Sequence, residues 1–197
     1  MKKQVSILLI ALASNVAFAQ EAPSKLGLVF SFGANLGGDT LVRGTYTNGD
    51  SYTVKAGGGT MLSIGATYSI NDKMDIQATI GHESDSTDAV NGSIDFKRNP
   101  MEVLGFYNIN ENVRIGAGLR QVSDARLSSS GVASRLGTTD YSASAGTVLE
   151  GQYFFAPKSA ERKVRVGMFV RFVAEEFTAA AKSVKGDHLG LGVTVSY

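Results

Sequence analysis

The sequence predicts an all-β fold, an eight-stranded antiparallel up-and-down transmembrane β-barrel, and three observations predict it. Apolar and polar residues alternate with a period of two through most of the chain after Gln20. Short connections alternate with long connections between these segments. Glycine, with 23 residues in all, occurs repeatedly on the polar side of these segments.

The N-terminal segment is typical of a secretory signal peptide. Lys2 and Lys3 precede an apolar run from Val5 to Ala13, and Ala17-Phe18-Ala19 follows with small residues in the cleavage pattern. The run is much shorter than the roughly 20 residues that a membrane-spanning helix needs. We therefore predict a signal peptide over 1–19 and a barrel domain over 20–197.

The composition excludes several classes of protein. The chain has no cysteine, which rules out a disulfide framework and thiolate chemistry. It has no run of basic residues, so nucleic acid is not an expected partner. No segment after the signal peptide is long and apolar enough for a transmembrane helix, so a membrane-inserted form must use strands.

Eight segments carry the alternation, and their connections predict the topology. Their ranges are 26–36, 62–70, 74–81, 101–109, 113–120, 145–155, 164–172 and 188–197. Tight turns are expected at 71–73 and 110–112 and a short one at 157–162, whereas longer polar loops are expected near 37–59, 84–95, 123–140 and 178–185. Short turns at one end and long loops at the other are typical of barrels with periplasmic turns and extracellular loops.

The first long connection has a hairpin signal of its own. Asn48-Gly49 suits a tight turn because both residues tolerate positive φ angles. Leu41–Tyr46 can then pair with Tyr52–Val54. We predict that strands one and two continue into a protruding extracellular hairpin.

Two observations place the apolar side of the strands outward. Glycine weakens a strand and has no reason to line a water-facing surface, but it suits the narrow lumen of an eight-stranded barrel. A turn centred on Glu111 sets Phe106 opposite Gly116, a large residue beside a small one. Four tyrosines also come to one height, as a periplasmic aromatic girdle at the lipid–water boundary. They are Tyr68, Tyr107, Tyr153 and Tyr197.

These features resemble the small eight-stranded outer-membrane barrels of the OmpA transmembrane-domain and OmpX type, within the outer membrane protein β-barrel domain family. The likeness covers about 26–197 and includes the ending Gly190–Tyr197, although such barrels usually end in Phe. It implies insertion into the cell outer membrane, contact with outer-membrane lipid and lipopolysaccharide, and recognition of the C-terminal segment by the barrel-assembly machinery. It does not imply one biochemical activity.

The predicted inward face carries both signs of charge. Its ionisable residues are Asp75, Glu102, Arg114, Arg120, Glu150, Arg165 and Arg171. The register places Glu102 directly across from Arg120. Buried charges must be paired, so we predict an interior ion-pair network. Such a network is either the constriction of a narrow pore or a plug, and eight strands favour the plug.

The segment His82-Glu83-Ser84 admits a catalytic interpretation. A serine, a histidine base and an orienting acid, here Asp85 or Asp95, resemble the site of outer-membrane lipid A deacylases. The match is three residues long and lies in a different strand from that family's, so ordinary polar residues at a loop edge are the favoured interpretation. His188 faces inward, and we expect it to be a structural partner of Glu175.

We predict an integral outer-membrane protein that is not an enzyme and holds no cofactor or metal. Its role would be envelope integrity or surface interaction through extracellular loops, where the function of a scaffold usually lies. The alternatives are a lipid A hydrolase using Ser84 and His82, and a narrow pore. The sequence does not identify a surface ligand.

Overall fold

A computed structural model describes residues 25–46, 49–89, 91–156, 164–180 and 182–197. The predicted signal peptide, the predicted turn at 157–162 and the first two residues of the Thr47–Asp50 turn lie outside the described residues. Among the described residues, no helix is long and apolar enough to cross a membrane.

The described chain forms thirteen strands and one short 3-10 helix, η1. The strands are β1 (Leu26–Gly37), β2 (Thr40–Thr45), β3 (Ser51–Lys55), β4 (Gly59–Asn71), β5 (Met74–Ala89), β6 (Gly92–Asn108), β7 (Val113–Ser129), β8 (Thr139–Ala143), β9 (Gly146–Phe154), β10 (Arg165–Ala174), β11 (Glu176–Ala179), β12 (Lys182–Lys185) and β13 (His188–Ser196), and η1 spans Gly131–Leu136.

Eight of the strands close into an antiparallel barrel. Their order is β1-β4-β5-β6-β7-β9-β10-β13, and β13 pairs with β1 to complete the ring. These strands coincide with the eight alternating segments, and Phe106 pairs with Gly116 as predicted. The predicted fold class is therefore confirmed.

The apolar side of the barrel faces outward. On β6, the side chain of Val103 is 56% exposed, whereas its neighbour Glu102 is 6% exposed. The same inversion holds on β1, where Leu28 is exposed and Val29 is buried. A water-soluble barrel would have the opposite arrangement, so this surface fits contact with lipid.

The predicted hairpin forms, but as a sheet of its own. β2 pairs only with β3, and the chain turns away from β1 at Gly37 and Gly38, which have φ angles of 145° and 76°. The prediction that strands one and two continue into the hairpin is therefore wrong in this respect. Glycine suits these two positions because positive φ strains residues with a side chain.

The segments predicted as polar loops near 84–95, 123–140 and 178–185 all contain strands, and 123–140 also contains η1. β5, β6 and β7 run past the barrel, and β8, β11 and β12 add to β7 in the order β7-β8-β11-β12. A backbone hydrogen bond of 2.8 Å from Asp39 to Lys185 joins the β12 end of this sheet to the start of β2. We call these extensions, with the β2–β3 hairpin, the outer layer.

The outer layer has an apolar core that is larger than the buried apolar cluster of the barrel lumen, which consists of Leu104, Phe106, Val148 and Val173. Its buried residues are Val54, Ala56, Ile94, Phe96, Val122, Ala125, Leu127 and Phe177. Phe96 packs edge-on against Phe177 and Tyr141, with 5.6 Å between ring centroids in each pair. Partial burial raises the pKa of the Tyr141 phenol. The outer layer is thus packed as a water-soluble β-structure.

Candidate functional site

The centre of the lumen is occupied by Arg120, which no solvent reaches. Its guanidinium contacts the carboxylates of Glu83 at 2.8 Å, Glu102 at 2.7 Å and Glu175 at 2.7 Å. β7 positions Arg120 directly across from Glu102 on β6. Charged hydrogen bonds of this length use the donors of Arg120 on three sides and fix its position.

Two further arginines extend the network in opposite directions. Toward the periplasmic end, Arg171 contacts Glu102 at 2.5 Å and Glu150 at 3.1 Å. Toward the outer layer, Arg98 contacts Glu83 at 3.1 Å and donates hydrogen bonds to the backbone carbonyls of Ala56 and Gly58. Arg98 therefore joins the lumen network to the segment that follows the hairpin.

The periplasmic end of the lumen has a separate cluster around Arg114. Its Nε and Nη2 atoms donate to Gln152 and Gln77, both at 2.8 Å, and Asp75 lies 3.5 Å away. The guanidinium stacks on the ring of Phe106, 4.1 Å from its centroid. A charge that stacks on an aromatic face keeps a favourable environment without water.

Arg165 lies at the periplasmic mouth rather than in the network. It stacks on Phe154 at 3.9 Å and donates to the carbonyl of Glu111 at 2.7 Å. Its side chain thereby connects β10 to the turn between β6 and β7. The seven residues predicted for the interior thus fall into a central group, a lower group around Arg114 and this residue at the mouth.

Sequence reasoning missed Glu83 and Arg98 and gave Glu175 a minor role. Glu83 continues the inward face of β5 beyond Asp75, and Arg98 continues that of β6 beyond Glu102, so both follow the alternation. Glu83 was interpreted as part of the His82-Glu83-Ser84 segment instead, and Arg98 lies between the loop predicted near 84–95 and the strand predicted from residue 101. With them, the described lumen holds five carboxylates and five guanidiniums.

His188 adds a titratable group beside this network. Its Nδ1 donates to the carbonyl of Gly186 at 2.7 Å and lies 3.7 Å from Glu175 Oε1. Glu83, Glu175 and His188 are close enough together to suggest metal ligands. Because arginines already contact both carboxylates at 2.7–3.4 Å, the cluster is charge-compensated and does not favour a cation.

The tyrosines predicted for the girdle all face outward. Tyr68, Tyr107 and Tyr153 are about half exposed, and Tyr153 packs edge-on against Phe155. Tyr197 is exposed at the end of the chain. Their roles as a lipid–water girdle and an assembly signal stay predictions.

His82 and Ser84 lie on the outer face of β5, just above the apolar band. His82 Nδ1 is 2.8 Å from Asn99 Oδ1 on β6. Neither acid proposed from the sequence orients the histidine. Asp85 accepts the backbone N–H of Lys55 at 2.7 Å, and Asp95 accepts a hydrogen bond from the Ser93 hydroxyl. An asparagine takes the place where an acid was expected.

Comparison with known proteins gave a family and a set of solved structures. The family model for the outer membrane protein β-barrel domain matches residues 5–196. The structure of Ail from Yersinia pestis, in complex with the heparin analogue sucrose octasulfate, is similar at 12% identity and a TM-score of 0.50, over 87% of this chain and 97% of that chain. A search of curated proteins found no match.

Two further structures are similar at lower scores. Neisserial surface protein A has 16% identity and a TM-score of 0.48, over 88% of this chain and 96% of that chain. OprG from Pseudomonas aeruginosa has 14% identity and a TM-score of 0.43, over 87% of this chain and 95% of that chain. All three are small barrels in outer membranes or at cell surfaces.

Proposed function

The chain belongs to the outer membrane protein β-barrel domain family and lies in the outer membrane, and on this premise we propose that its sealed lumen carries neither transport nor catalysis. Its role is envelope integrity or surface interaction through the outer layer. The observation that carries the proposal is the filled lumen, with Arg120 held by three carboxylates at its centre.

The packing of the outer layer supports a surface role. A mobile loop offers many conformations, whereas strands around an apolar core present one fixed surface to a partner, which lowers the entropy cost of binding. Val132 and Leu136 on η1 are 68% and 53% exposed, and no residue of the described chain covers them. Exposed apolar side chains on a rigid element are suited to contact with another molecule.

The charges of the outer layer favour a partner without dense negative charge. Arg126 forms an exposed ion pair with Asp140 at 2.6 Å, and Lys185 lies directly across from Glu176. The acidic neighbours of these two cations weaken the positive field that would attract a sulfated sugar. We therefore do not extend the sulfated ligand of the Ail structure to this chain.

A complementation experiment tests the proposal and separates its two roles. A strain that lacks the chain would receive the wild-type form or a Val132→Ser/Leu136→Ser form. If the role is envelope integrity, both forms restore resistance to detergent. If the role is surface interaction, the wild type restores adhesion to cells and the double variant does not. A strain unchanged in detergent resistance and in adhesion would overturn the proposal.

A further inference from the structure

The short helix η1 stands at the far end of the outer layer. Residues 92–100 of β6 continue outward past Met101, the last exposed apolar side chain of that strand, and a backbone hydrogen bond joins η1 to Asn91 beside their far end. A strand rises about 3.3 Å per residue, so at the usual barrel tilt this end lies roughly 20 Å beyond the apolar band. The side chains of η1 are therefore out of reach of the membrane that holds the barrel.

Neighbouring residues hold η1 in a fixed position. The backbone N–H of Val132 donates to the carbonyl of Asn91 at 2.9 Å, and the Ser129 hydroxyl donates to the carbonyl of Gly137 at 2.9 Å. Between these two anchors, Ala133 packs against the core of the outer layer. A side chain that projects from such an element is ordered before it binds, which lowers the entropy cost of binding.

Two aliphatic side chains project from this fixed element. The outer layer buries its other large apolar side chains, wholly or in part, in its own core. Val132 and Leu136 do not follow this rule. Within the described residues, all other large apolar side chains that are comparably exposed belong to the barrel strands or to the residues that flank them. The packing of the chain itself therefore does not explain the exposure of these two residues.

The charge around η1 is positive. Residues 125–139 include two arginines and no acidic residue. Arg126 is paired with Asp140, whereas Arg135, in the last turn of η1, is exposed and forms no ion pair within the described residues. Side chains three residues apart in a 3-10 helix lie one above the other, so Arg135 projects on the same side as Val132. The apolar pair thus has one uncompensated cation beside it.

This combination fits a lipid surface better than a protein surface. A stable protein interface takes about 20–30 residues from each partner, often with aromatic anchors, whereas η1 has six residues and no aromatic side chain. A bilayer is fluid and needs no complementary shape. Aliphatic side chains can enter its interfacial region while a neighbouring guanidinium stays among the headgroup phosphates.

We propose that η1 is a lipid-contact element, which inserts Val132 and Leu136 into an apposed membrane that contains anionic phospholipid, while Arg135 pairs with a headgroup phosphate. This inference rests on the proposed surface-interaction role and names its partner. Two side chains give only a weak contact for one copy of the chain. Many copies on one cell surface that meet the same bilayer give a much stronger one.

A fluorescence experiment tests insertion directly, because the chain has no cysteine and one can be placed at will. Ser134→Cys, exposed on η1, carries an environment-sensitive dye in the full chain folded in phosphatidylcholine nanodiscs. Its emission should move to shorter wavelength when vesicles of phosphatidylcholine and phosphatidylserine are added. The same dye at Ser142→Cys, exposed on β8, is the matched control and should not respond. The response at residue 134 should be lost when Val132→Ser and Leu136→Ser are added.

A capture experiment measures the contribution of each side chain. Proteoliposomes that carry many copies of the unlabelled full chain should capture dye-labelled vesicles that contain phosphatidylserine. Capture should fall at least about 10-fold in Val132→Ser/Leu136→Ser, because the transfer of both aliphatic groups is lost. Arg135→Ser should weaken capture only at low salt, whereas Ser134→Ala, the matched control on the same helix, should not change it. The heat-dependent shift in electrophoretic mobility shows that each variant is folded.

The outcomes separate this inference from the proposed function. No response of the dye at residue 134 to protein-free vesicles, or equal capture by the wild type and the double variant, would overturn the lipid partner. If the double variant nevertheless loses adhesion to cells, the surface-interaction role stands and the partner of η1 is a protein or a sugar.

Discussion

Replacement of Arg120 by methionine tests whether the charged lumen holds the barrel together. Each of its three carboxylate neighbours keeps another arginine, since Glu102 still contacts Arg171 and both Glu83 and Glu175 still contact Arg98. The change therefore leaves one net negative charge without compensation in a lumen closed to water. Loss of one partner from a buried ion pair costs about 3–5 kcal/mol, and we expect a loss of that size.

The matched control lies on the same strand. Arg126 also forms a short ion pair, 2.6 Å from Asp140, but the two side chains are 62% and 68% exposed. Water and salt screen such a pair, so Arg126→Met should cost at most about 1 kcal/mol. The two variants thus compare a buried ion pair with an exposed one, because the substitution is the same and the ion-pair distances are nearly equal.

The free energy of unfolding is measured by urea titration of the protein in lipid vesicles, with circular dichroism or electrophoretic mobility as the signal because the chain has no tryptophan. A second variant separates charge from volume. Arg120→Met/Glu83→Gln again has equal numbers of positive and negative charges in the lumen, and it should be more stable than Arg120→Met alone. Equal losses for the Arg120 and Arg126 variants would refute the reasoning.

Three further predictions concern packing and closure. Gly118→Val should prevent folding, because a Cβ there would lie 2.0 Å from the Val103 carbonyl oxygen, whereas Gly151→Ala, with its nearest atom 3.8 Å away, should keep the mobility shift on heating. Phe177→Ala should destabilise the outer layer by about 3–5 kcal/mol and make it sensitive to protease while the barrel strands stay protected. In planar bilayers the wild type should show no discrete openings, and a stable single-channel conductance would show that the lumen is not sealed.

The barrel strands were predictable because lipid imposes a simple rule on each residue. Every second side chain must be apolar where a strand meets hydrocarbon, and the remaining side chains must fit a narrow lumen. Leu189, Leu191 and Val193 follow this rule without interruption, and so do the glycines between them. The pairing of Glu102 with Arg120 could be predicted because the tight turn at 110–112 fixes the register of the two antiparallel strands that it joins.

The outer layer was not predictable in the same way. On β6, Phe96 and Glu102 share the inward face, while Lys97 and Met101 share the outward face. The alternation of inward and outward side chains continues across the membrane boundary, but the residue types on the two faces change. In the membrane the outward side chains are apolar and the inward ones polar, whereas in the outer layer the inward side chains are apolar and the outward ones polar. The pattern of a membrane strand stops at Met101, so the part of β6 that precedes Met101 in the chain was not predicted as a strand.

The sequence by itself determined the strands, their order around the barrel and which side faces lipid, because these depend on residues that are neighbours along one strand or across one turn. Only the tertiary structure decided which charges meet in the lumen, that Asn99 and not an aspartate contacts His82, and that Val54, Phe96 and Phe177 share one core. Those contacts join residues far apart in the chain. Their distances depend on the curvature and closure of the whole sheet, which no local pattern records.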